Sequence, residues 1–122
     1  MSAPAAPARP ALLITTDGDV SVIDLPEPDA LSVSRLLECH RADVVRLTPA
    51  MDMWIDDEGY GVEPVNRPAT ALARRFGFIY QQYHGPALLA GYDDQGETVP
   101  LTPDTLDALR RTLASMPGTT LR

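Results

Sequence analysis

Lysine is missing altogether from this 122-residue chain, and cysteine occurs once. With Cys39 alone, no intrachain disulfide can form, which fits a reducing cytoplasm. The thiol is not set up as a nucleophile either. His40 adjoins it, but neighbouring helical positions point in different directions, and we read Cys39 as a small helix residue. Histidine is equally scarce: His40 and His84 are the only two. That excludes a Cys/His zinc cluster. No Gly-x-Ser-x-Gly elbow occurs, nor any Gly-rich phosphate cradle. No run approaches the roughly 20 apolar residues of a membrane span. The opening "MSAPAAPARPALLITT" lacks a signal-peptide layout, because its apolar run is too short and no cleavage site follows it. These absences lead us to expect a cytoplasmic protein with no cofactor and no metal.

Positive charge is also in short supply. Ten basic residues, all arginine, face 17 acidic ones, for a formal net charge of −7. With the alanine and proline content, the all-arginine usage looks like the coding bias of a GC-rich genome. The charge balance argues against phosphate-neutralising contact with nucleic acid and against an anionic membrane surface. Solubility alone accounts for it, and it also permits a basic protein partner.

What is present suits one folded domain. Hydrophobic residues make up 44% and charged residues 22%, enough apolar side chain for a core and too little charge for a disordered chain. Residues 1–10, Ala/Pro-rich, read as a flexible tail. Residues 11–118 read as a single domain, and 119–122 as a frayed end.

Along the domain the turn signals are frequent. "ALLITT", "DGD" and "VSVIDL" read as a hairpin, since Asp-Gly between β-rich runs marks a tight turn. "PEPDALSVSRLLECH" reads as a helix capped by Asp29, with Val33, Leu36 and Leu37 as its core stripe. "ADVVRLT" reads as a strand ended by Pro49. "MDMWID" and "YGVEPV" flank "DEG" as a second hairpin. "NRPATALARRFG" reads as a short helix with Pro68 in its first turn and Gly77 as its stop. "GPALLAGY", "DDQG" and "ETVPL" form a third hairpin, and a last helix starts at Thr102. The fold class expected is α+β: a mostly antiparallel sheet built from hairpins, packed by about three short helices.

One stretch concentrates chemistry. Residues 51–70 hold five carboxylates and the only tryptophan. Consecutive carboxylates Asp56, Asp57 and Glu58 diverge on a strand-turn. Acid–base work needs two groups held across a reacting bond, one of them in an apolar pocket. A hard cation needs several oxygen ligands from a shaped loop. Neither requirement is met by the spacing, so a solvated hairpin tip is the simpler reading, with no catalytic and no metal-ligating residue. The candidate interaction surface is then Trp54, Asp56, Asp57, Glu58, Tyr60, Asn66 and Thr70. Asn66 also reads as the cap of the second helix, and Thr70 as satisfying its first turn. Tyr80, Tyr83 and His84 in "FIYQQYHGPALL" form a candidate polar recognition loop, or a loop running into a strand.

The order "DMWIDDEG", "NRPATALAR", "GPALLAGYDDQGETVPLT" and a terminal helix resembles the domain-of-unknown-function family numbered thirty-eight forty-six. The resemblance covers about residues 11 to 116 and rests most on Asp57-Glu58-Gly59, Asn66 with Ala69-Thr70, and Gly85-Pro86. It implies no activity, cofactor or catalytic residue. It does imply a setting in phages, plasmids, integrated elements and bacteria including actinobacteria. The expectation is therefore a non-enzymatic, protein-binding accessory factor, with an unidentified protein partner for which a basic one fits the charge. Three rivals stand beside it. One is a DNA mimic acting against host defence. Another is a ligand-binding domain or enzyme using Asp56, Asn66, Tyr80 and His84. The last is a subunit that assembles by a sheet edge.

Overall fold

The computed structural model describes residues 7–122, so most of the expected tail lies outside the described residues. Its last two residues belong to the domain. Pro10 opens strand β1 (Pro10–Ile14), and the Arg9 carbonyl accepts from the Leu25 N–H at 2.7 Å. Strand β2 (Asp19–Asp24) returns antiparallel across the Asp17–Gly18 turn, in the register Ile14 with Val20 and Leu12 with Val22.

Helix α1 (Ala30–Leu36) starts where expected, its first turn closed by the Asp29 carboxylate accepting from the Ser32 N–H at 2.8 Å. It ends before Cys39. Leu37 is the C-cap, and Glu38 then takes a positive φ of 54°. Cys39 thus lies in the connection to β3 rather than in a helix, because the chain has already left the helical path one residue earlier. Strand β3 (Ala42–Thr48) follows, then β4 (Met51–Asp56), paired antiparallel from Ala42 with Asp56 to Thr48 with Met51. Helix α2 (Arg67–Arg75), β5 (Ala87–Tyr92), the short β6 (Thr98–Val99), α3 (Pro103–Ala114) and β7 (Thr120–Leu121) complete the chain.

The sheet runs β3-β4-β5-β1-β2-β7, with β6 against the end of β5. Every pairing is antiparallel except β2 with β7. The expected α+β class, with three helices on a mostly antiparallel sheet, is what the structure shows. The alternation of strand side chains explains why both faces need cover. Leu12, Ile14, Met51, Met53 and Leu89 point to one side and pack with Leu72 of α2 and with Leu109 and Leu113 of α3. Ala11, Leu88 and Ala90 point to the other and pack with Val33 and Leu37 at α1. "ALLA" in β5 is accordingly buried throughout, as expected of a central strand covered on both faces.

Two further expectations fail. The segment "YGVEPV" forms no strand. β4 already has a hydrogen-bonding neighbour on each side, β3 and β5, so its own downstream segment has no edge to join. Only Val65 bridges, and it does so to His84. Residues 119–122 are not frayed either: β7 pairs with β2, and Arg122 reaches Asp19 at 3.1 Å.

The join of α1 to β3 rests on one side chain. Buried Ser34 accepts from the Ala42 N–H at 2.8 Å. Ser34→Ala leaves that N–H without its partner, and we expect a loss of about 1 kcal/mol, measurable as a lowered urea midpoint.

Candidate functional site

Five of the ten residues singled out from sequence, Asp56, Asp57, Tyr60, Tyr83 and His84, converge on one cleft. It holds about 250 Å³ and is lined by Asp56 and Asp57 at the end of β4, Tyr60 on the β4–α2 loop, Gln81 to His84 before β5, and Asp43, Val45 and Ile55 from the sheet. Asp56, Asp57, Tyr60 and His84 therefore meet as partly accessible groups, and Tyr83, nearly buried, forms part of the wall. Tyr80 stands 95% exposed in an adjoining hollow with Tyr60, Ile79 and Arg74. Glu58 is exposed, and its N–H donates to Asp56 Oδ1 at 2.9 Å, which fixes that carboxylate.

The remaining candidates lie elsewhere. Trp54 packs in the α1-side cluster, away from the cleft's Ile55 by strand alternation, with its Nε1 buried and without an acceptor among the described residues. Asn66 and Thr70 are buried under the cleft and hold its wall. The Asn66 side-chain oxygen accepts from the Ala69 N–H at 3.1 Å, the cap expected. Its Nδ2 donates to the carbonyls of Ile14 and Gly85 at 3.0 and 2.9 Å. Thr70 Oγ1 accepts from the Tyr83 N–H at 2.9 Å, so it ties the 81–85 segment to α2 instead of satisfying the helix's first turn. Asp52, in the "MDMWID" arm of the expected second hairpin, is no surface residue. It is 2% exposed and bonded by Arg46 Nε at 3.2 Å. The Arg46 guanidinium in turn lies 3.4 Å from the Tyr92 ring centroid. Burial pushes the Asp52 carboxyl up, and the Arg46 hydrogen bond and charge pull it back.

The group sequence reasoning passed over is Glu63. Its carboxyl turns back to Asp56 in a cradle with no room for other side chains. A Cβ on Gly59 would stand 2.7 Å from Glu63 Oε2, and a Cβ on Gly85 2.4 Å from the same atom. Oε2 is buried with no donor among the described residues. Hydrogen bonding to Asp56 is the first cause that raises the Glu63 carboxyl to about 6, with burial and the Asp56 charge adding to it and His84 opposing. The His84 Nδ1 lies 2.7 Å from the Glu63 carbonyl oxygen. A carbonyl only accepts, so Nδ1 carries a proton, and in the neutral ring Nε2 is left as an acceptor. The Tyr60 ring meets the imidazole edge-on, centroids 5.0 Å apart. The signal available in the sequence was the pair of glycines flanking this carboxyl, but nothing local joins Gly59 to Gly85.

The rival set Asp56, Asn66, Tyr80 and His84 does not share one cavity. Asp56 and His84 line the cleft, Asn66 is fully buried, and Tyr80 faces the next hollow. Among the described residues no group of three His, Cys, Asp or Glu side chains is placed to hold a metal ion, and no helix is long and apolar enough to cross a membrane. A larger cavity of about 430 Å³ lies between α2, α3 and the β3–β4 turn, floored by Met51, Leu72 and Leu109. It is mostly apolar, and the paired carboxyls, the imidazole and the exposed tyrosines all lie away from it.

The fold and site define a small α+β domain whose two longest irregular connections build an acidic cleft with tyrosines at its rim. The family model described as a domain of unknown function, DUF3846, matches residues 8–114, and the chain belongs to that family. No curated protein and no solved structure matches the chain.

Proposed function

We propose that this domain is a non-enzymatic, cytoplasmic protein-binding module, an accessory factor of phage, plasmid or mobile-element type. It docks a basic segment of its partner in the Asp56–His84 cleft. The observation that supports this is the pairing of carboxylates with exposed aromatic and apolar side chains on two adjacent loops. Asp43, Asp56 and Asp57 line the cleft, while Tyr60, Ile79 and Tyr80 are 77, 55 and 95% exposed beside it. Tyrosine supplies contact area with a hydrogen-bonding tip at small entropic cost. The carboxylates favour an arginine or lysine at the centre, and the amides of Gln81 and Gln82 can adapt to main-chain groups. Neither nucleic acid nor a membrane is part of this reading.

The test is affinity capture from the host with the tagged chain, repeated with Tyr60→Ala and Tyr80→Ala. Both tyrosines are exposed, so folding stability should hold while partner affinity falls roughly tenfold for each. Partner recovery unchanged by both substitutions, and by joint replacement of Asp56, Asp57 and Glu58 with alanine, would sink the assignment.

A further inference from the structure

We propose that the Asp56–Glu63 carboxyl pair is a proton-operated latch on the β4–α2 loop. The loop is fastened while the two carboxyls share a proton and loosened when both ionise. The inference adds regulation to the docking reading above and rests on it for its biological use, yet the chain alone tests it.

The geometry supplies the argument. Glu63 Oε2 is buried and lacks a donor among the described residues, while Asp56 Oδ1 is already occupied by the Glu58 N–H. Buried acceptors in native folds are satisfied, and a proton held between the two carboxyls is the donor this pair can provide for itself. The Asp56 and Glu63 side chains both flank Gly59, where an added Cβ would stand 2.7 Å from Glu63 Oε2 and 3.4 Å from Asp56 Cβ, while Gly85 closes the far side of the Glu63 carboxyl. With both ionised, two like charges are held close together there. Other charged and titratable groups face the pair. His84 comes from the segment before β5. Cys39 comes from the α1–β3 connection, its thiol raised first by burial and then by Asp56. Arg41 acts at one remove, through Asp57 at 3.6 Å. None of them donates to Oε2. What the latch holds is the cleft's rim: the Gly59, Val62 and Glu63 N–H groups close the loop on the Asp56 and Gly59 carbonyls, and Tyr60 stands between them.

The sign follows from the direction of the shift. The fastened loop binds the Glu63 proton more tightly than the open loop, so fastening is favoured at low pH. That advantage is lost as pH rises from the ordinary 4.5 through about 6. At neutral pH the loosened rim carries an extra negative charge, which a partner's cation can meet in place of the proton.

Amide hydrogen exchange followed by NMR on the free chain reads this directly. After correction for intrinsic rates, protection at Gly59, Val62 and Glu63 should fall roughly tenfold between pH 5 and pH 7, while Leu89 in β5 holds its protection. Glu63→Gln and Asp56→Asn each replace a proton-sharing carboxyl with a neutral amide and should give loop protection that does not vary with pH. Constant protection in the unmodified chain, or an unchanged pH slope in Glu63→Gln, would overturn the latch. Failure of the docking reading is seen separately, in the capture experiment with the tyrosine variants.

Discussion

Asn66→Ala is expected to destabilise the fold by about 3–4 kcal/mol, the largest effect of any polar substitution in the cleft's support. Three bonds go at once. The helix α2 cap is worth about 1 kcal/mol, and it depends on the Ala69 N–H reaching Asn66 at 3.1 Å. The carbonyls of Ile14 and Gly85 each lose a buried donor, and a buried acceptor left without its partner costs about 1–3 kcal/mol. Asn66 is fully buried, so the loss falls on groups withdrawn from solvent. Two companion variants separate the contributions. Asn66→Ser restores an N-cap acceptor and should recover about 1 kcal/mol relative to alanine. Asn66→Asp keeps the cap acceptor but aims a buried carboxylate at two carbonyl oxygens. It should be less stable than alanine at pH 7 and regain stability as pH falls and the carboxyl protonates. With a urea slope of about 1.5 kcal/mol per molar, the alanine variant's midpoint should drop by about 2 M. A loss below about 1 kcal/mol would mean that Asn66 is a cap and nothing more.

Asn66 also shows where sequence reading reaches its limit. Capping is local: an Asn before Arg-Pro and an apolar stripe identifies the helix start, and the structure places the cap there. The two amide donations span 52 and 19 residues of chain, and no periodicity or turn signal encodes them. The first and third hairpins were legible for the same local reason, because turn residues lie between alternating runs. The second was misread because strand pairing at β4 is settled by β5, which follows it only after a loop and a helix. β7 escaped notice because a two-residue parallel pairing to β2 leaves no pattern in "TTLR". At the site, the exposed residues Tyr60 and Tyr80 were identifiable from composition and turn context. Trp54 drew attention by its rarity, yet strand alternation sends it to the opposite face. Glu63 looked like one more solvated acid, because its distinction comes from two glycines brought beside it by the fold.

Gly85→Ala should cost about 3 kcal/mol, and most of that cost should depend on Glu63. Gly85 has φ of +81°, where an L side chain is strained by about 1–2 kcal/mol. Its added Cβ would also sit 2.4 Å from Glu63 Oε2 and 2.9 Å from the carboxyl carbon, so the Glu63 side chain must leave its cradle. Gly59→Ala makes the same demand from the other side, at 2.7 Å from Oε2, without a positive φ. Its cost should therefore be smaller and almost wholly steric. A double-mutant cycle isolates the shared part. In a Glu63→Ala background the carboxyl is gone, so Gly85→Ala should cost only the backbone strain, and Gly59→Ala should be relieved of its principal clash. The coupling expected for each pair is at least about 1 kcal/mol, read from urea midpoints of the four chains in each cycle. Additive losses would show that the two glycines are required by the backbone alone. Strong coupling would tie the two glycines of the motifs Asp57-Glu58-Gly59 and Gly85-Pro86 to one carboxyl. Those motifs, far apart in the chain, would then serve to place Glu63 against Asp56, beneath the rim that carries Tyr60.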